Sequence, residues 1–72
     1  MLSNKVVKLL ESRMSQGLKN PKIIGQRPQG NGHVTLDIRA NGREVTVRGV
    51  SCTPNDWTFT GNKLRQRANG DA

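Results

Sequence analysis

Proton transfer near neutral pH calls for histidine before any other side chain. This chain has one, His33, in the stretch GNGHVTLDIRANGREVTVRG. Cleavage of RNA needs little more than that: a base or acid near the 2′-hydroxyl, and cations that hold the scissile phosphate and offset its developing charge. His33, with Arg27 upstream of it, is the local set that meets this minimum. The competing reading makes His33 a polar residue that begins a strand, and the hairpin argued below accounts for the whole stretch without chemistry. Cys52 is the lone cysteine. A thiol–imidazole pair with His33 is its reactive reading, and a small buried hydrophobe is the ordinary one. One cysteine and one histidine do not make a four-ligand zinc site, and the carboxylates are scattered with no paired spacing. Neither a metal nor a cofactor is expected.

The charge balance points outward. Twelve Lys and Arg stand against five Asp and Glu in 72 residues, a net charge of +7. A balance of that kind implies a polyanionic partner, RNA or DNA first, or serves solubility alone. No apolar run approaches the roughly 20 residues of a membrane span, and the first twenty residues interleave Lys5, Lys8, Glu11 and Arg13 with their apolar positions. We therefore expect no membrane partner and a reduced, cytoplasmic setting, since a single cysteine closes no internal disulfide.

The elements that must position these residues make a single small basic domain, 1–72, of the α+β class. Val6, Leu10 and Met14 recur at helical spacing, so a helix is expected over about 3–17, with Ser3 as N-cap and Gly17 in the C′ position before Asn20-Pro21. Its other side carries Lys5 and Lys8, and Lys19 if the helix runs on. Ile23 and Ile24 suggest a short strand, and residues 25–32 a polar glycine-rich loop that holds Arg27.

Asn41-Gly42 is the strongest local signal for a two-residue type I′ turn, and it fixes a hairpin over about 33–50. Ala40 then faces Arg43, Arg39 faces Glu44, and so on to Thr35 facing Arg48 and Val34 facing Gly49. Val34, Leu36, Ile38, Val45 and Val47 fall on one face, and polar residues of both signs on the other. Thr53-Pro54-Asn55-Asp56 reads as a turn into a third strand at about 56–60, with Trp57 and Phe59 facing inward. The fold is thus an N-terminal amphipathic helix packed on a three- to four-stranded antiparallel meander. Residues 61–72 follow as a short C-terminal helix or a disordered basic tail.

The succession of "KVVKLLESR", Arg27 in a Gly-rich loop leading to "NGHVTLDI", then "GREVTVRG" and "GNKLRQRA" resembles the HicA family of small messenger-RNA-cleaving toxins. The resemblance spans most of the chain. It implies a double-stranded-RNA-binding-like fold, His33 in the place of the catalytic histidine, and Gly61 and Leu64 in the closing helix. Where that family has Gly-Ser before its histidine, this chain has Asn31-Gly32, and its last stretch is more polar.

Three functions follow as expectations. The first is a small nucleic-acid-binding protein, phage or mobile-element encoded, that grips RNA or DNA mainly through phosphates with Lys5, Lys8, Lys19, Lys22, Arg27, Lys63, Arg65 and Arg67. The second is a HicA-like, metal-independent endoribonuclease using His33. The third is a regulator or inhibitor that docks on an acidic protein. So small a core also leaves room for a homodimer formed through an unpaired strand edge.

Overall fold

A computed structural model describes residues 1–70. Helix α1 (Asn4–Met14) leads into strands β1 (Lys22–Gly30), β2 (His33–Ala40) and β3 (Arg43–Ser51), and helix α2 (Trp57–Ala68) follows. The strands form an antiparallel sheet in the order β1-β2-β3, so β1 and β3 are its edges. Both helices pack on each other and on the same face of the sheet, which makes the fold α+β.

Helix α1 begins where a short side chain can take up an orphan amide: Ser3 accepts a hydrogen bond from the Val6 amide at 3.3 Å. Leu10 and Met14 are fully buried, and Leu18 folds back under the last turn. Gly17 is not the left-handed cap expected of it; the positive φ falls on Asn20, at 51°. Gly17 instead lets a neighbour approach, since a Cβ there would stand 2.7 Å from Cδ of Arg65.

Instead of a short strand and a loop, residues 22–30 form one long strand, and the second hairpin turn is Asn31-Gly32. Asn31 and Gly32 have φ of 54° and 73°, nearly the values of Asn41 and Gly42, 53° and 73°. Two type I′ turns therefore build the meander. The pairs from Ala40–Arg43 to Leu36–Val47 are those expected from Asn41-Gly42. Beyond them the ladder shifts by one residue: Val34 stands opposite Val50 and His33 opposite Ser51. The extra residue lies at Arg48-Gly49, where Gly49 has φ +72°. The bulge restores the pattern that strict alternation would have lost, because both Val47 and Val50 turn inward and are buried.

The expected third strand at 56–60 is instead the start of α2, which runs on through most of the expected tail. Asp56 caps it, accepting from the Thr58 amide at 2.8 Å. Thr60, Gly61, Leu64 and Ala68 form its buried face, with Trp57 half-buried at the rim. This stripe of period 3.6 outweighs the alternating, β-prone Trp57-Thr58-Phe59-Thr60. Residues 71 and 72 of the expected tail lie outside the described residues.

Candidate nucleic-acid interface

His33 is exposed at the first position of β2, immediately after the Asn31-Gly32 turn. Its Nδ1 lies 2.9 Å from the Asn31 carbonyl oxygen. A carbonyl only accepts, so Nδ1 carries the hydrogen of that bond. In the neutral ring Nε2 is then the unprotonated, basic nitrogen.

Alternation places His33 on the outer face of the sheet with Thr35 and Asp37, the face that neither helix covers. Arg27 is opposite Thr35 in β1, hence on the same face and diagonal to His33. Its guanidinium is engaged: Nη2 donates to Asp37 Oδ1 at 2.9 Å, and Thr46 Oγ1 donates to the same oxygen at 2.8 Å. Gln29 reaches across β2 and accepts from the Gly49 amide that the bulge frees, at 2.6 Å. Thr35, between these chains, is buried although no helix lies over it. The outer face is thus a bonded polar layer, with His33 at its turn-side margin.

Cys52 is not the partner of His33. Ser51 stands opposite the histidine, and the Cys52 side chain packs half-buried against the core. Among the described residues no three His, Cys, Asp or Glu side chains gather as a metal site would require. No helix there is long and apolar enough to cross a membrane.

The eight cations singled out from the sequence do not share one surface. Lys5 and Lys8 are exposed on α1. Lys19 follows α1 and is tied to the β2–β3 turn: its amide donates to Asn41 Oδ1 at 2.8 Å, and its carbonyl accepts from the Asn41 amide at 3.0 Å. Lys22 pairs with Arg39 at the same end of the sheet. Arg65 lies on the α1 side of α2 with its stem over Gly17 and is half-buried. Lys63 lies on the opposite flank, its Nζ donating to the Gly49 carbonyl at 3.4 Å, and Arg67 follows one turn on.

Sequence reasoning missed three residues here. Phe59, expected in the core, is 71% exposed on the first turn of α2. Arg43 donates from Nη2 to the Ala68 carbonyl at 3.3 Å, which satisfies an orphan acceptor at the end of α2. Arg13 packs across Gly61 in the seam between the helices. Apolar or small residues at 57, 61, 64 and 68 were the signal that 57–68 is one helix, and that signal would have turned Phe59 outward.

Compared with models of known families, with curated proteins and with solved structures, the chain matches none.

Proposed function

We propose that this chain is a small basic nucleic-acid-binding protein that holds RNA or DNA mainly through phosphate contacts. One observation carries the reading: each described carboxylate has a hydrogen-bond partner within the chain, while most of the cations have no side-chain hydrogen bond among the described residues. Glu11 accepts from the Ile23 amide at 2.9 Å, Asp56 caps α2, Asp37 takes Arg27 and Thr46, and Glu44 takes Arg39. Of the twelve Lys and Arg, only Arg27 and Arg39 make ion pairs among the described residues. Twelve cations against five acids leave a strong positive excess that two ion pairs do not offset, and such a field steers and retains a polyanion with little regard to sequence.

The test titrates the protein into end-labelled single- and double-stranded RNA and DNA at two salt concentrations, reading binding and strand integrity from the same samples. We expect intact strands and an affinity whose logarithm falls with the logarithm of salt, by about 0.9 per phosphate contact on duplex DNA. A folded protein that binds none of the four at low salt overturns the reading.

His33 supports a second reading, a HicA-like endoribonuclease. A base nitrogen left outward by a bond on the other ring nitrogen suits proton abstraction, and the α-β-β-β-α order suits the double-stranded-RNA-binding-like fold of that family. Cut RNA that becomes intact in the His33→Ala variant would establish it. An acidic protein is a third partner that the same cations serve. A homodimer through a sheet edge is less well served, since both edge strands carry register shifts and β1 also carries Pro28.

A further inference from the structure

Phe59, the only phenylalanine, stands on the solvent side of a helix whose apolar stripe faces elsewhere. On the same flank, Lys63 and Arg67 follow at i+4 and i+8, each about 6 Å further along the axis. The flank borders the free edge of β3, and Phe59, Lys63, Gly49, Ser51 and Pro54 line a depression of about 210 Å³ there. That volume is below the ~300 Å³ at which pockets begin to take a whole drug-sized molecule, so it suits one ring of a larger ligand. The Lys63 ammonium leans on the Gly49 carbonyl at a long 3.4 Å, which leaves it hydrogens to donate elsewhere. Ser51, which also lines the depression, is the residue opposite His33.

We infer that the groove between α2 and the edge of β3 is a track for single-stranded nucleic acid, in which Phe59 stacks one unpaired base and Lys63 and Arg67 hold successive phosphates. The inference rests on the nucleic-acid reading and narrows it to strands with exposed bases. An aromatic face open to solvent beside a row of cations is the combination that single-strand binders use, and any base has a face to stack. Charge selects the occupant: Lys63 lines the depression, Arg67 follows a turn further along the flank, and the nearby carboxylate Asp56, three residues before the ring, is held as the α2 cap by the Thr58 amide. A base paired in a duplex offers no free face, so the ring adds nothing to duplex binding.

The test measures affinity for a labelled single-stranded RNA and for an RNA duplex, with wild type, Phe59→Ala, Phe59→Tyr, and the double variant Lys63→Ala/Arg67→Ala, all checked for folding by circular dichroism. We expect Phe59→Ala to weaken single-strand binding about 5- to 150-fold with an unchanged salt slope, and to leave duplex binding within twofold. Phe59→Tyr should restore it. The double variant should lower the single-strand salt slope by about 1.4. Equal losses on both RNAs, or no loss in Phe59→Ala, would overturn the track while leaving phosphate binding standing. Failure of the wild type to bind either RNA would instead remove the nucleic-acid reading beneath it. Sedimentation of the same variants covers the remaining occupant: a wild-type dimer that Phe59→Ala dissociates, with single-strand affinity unchanged, would assign the groove to a second copy of the chain and overturn the track.

Discussion

Gly61 and Gly17 show how differently one methyl group can act at two points of the same helix seam. A Cβ at Gly61 would stand 2.9 Å from the Cβ of Arg13, an atom fixed to the backbone of α1. At Gly17 the close atom is Cδ of Arg65, part way along a flexible stem. Gly61→Ala gains up to about 1 kcal/mol of helix propensity but must part the helices, at about 1–3 kcal/mol. We expect a net loss of up to about 2 kcal/mol, read as a fall in Tm of roughly 4–8 °C per kcal/mol. Gly17→Ala should be neutral or slightly stabilising, because the stem swings aside and the unfolded chain loses freedom. His33→Ala belongs at this scale too. The side chain is exposed and holds a single local bond, so stability should change by less than about 0.5 kcal/mol in a chemical melt. A larger loss would mark the histidine as structural as well, and the cleavage test would then need a folded His33 variant. Its chemical type was legible in the sequence; which nitrogen faces out was not, because that depends on the turn carbonyl folded under it.

At the scale of elements, the two Asn-Gly turns are equal in backbone and unequal in duty. Asn41 accepts from the Lys19 amide and donates from Nδ2 to Asn69 Oδ1 at 3.4 Å, so it ties the β2–β3 turn to the segment between α1 and β1 and to the C-cap of α2. Asn31 contributes only its carbonyl, to His33. Replacing each by glycine keeps the left-handed backbone available. We expect Asn41→Gly to cost about 1–2 kcal/mol and Asn31→Gly less than about 0.5, compared by urea unfolding. Asp56→Ala should cost about 1 kcal/mol by leaving the Thr58 amide unmatched. The hairpin register was legible as far as Leu36–Val47 because the turn and the alternation agree over those residues. It ceased to be so at Arg48-Gly49, where one extra residue is tolerated only because Val50 then reaches the core. Helix α2 was misread for the converse reason: over four residues an alternating aromatic pattern reads as a strand, and only the twelve-residue stripe shows the longer period.

For the whole molecule, stability and charge set the terms. A chain of this length commands a total of about 4–11 kcal/mol. Leu64, fully buried between α2 and the sheet, should cost about 2–5 kcal/mol when truncated to alanine, enough to unfold much of the population at 37 °C. Binding, by contrast, is spread over the surface. Lys5→Ala/Lys8→Ala should leave the melting curve nearly unchanged and, if α1 meets the phosphates, reduce the salt slope on duplex DNA by about 1.8. An unchanged slope would place the contacts elsewhere, with the flank of α2 first in line. Composition, one amphipathic helix, an Asn-Gly hairpin and a cationic excess could all be read from the residues, because each depends on neighbours a few positions away or on a sum over the chain. Which cations share a surface, which partner each described acid takes, and that Phe59 faces water rather than the core were decided only by the tertiary structure. Each of these depends on which elements meet across the sheet, and that is settled by long-range packing of the buried faces.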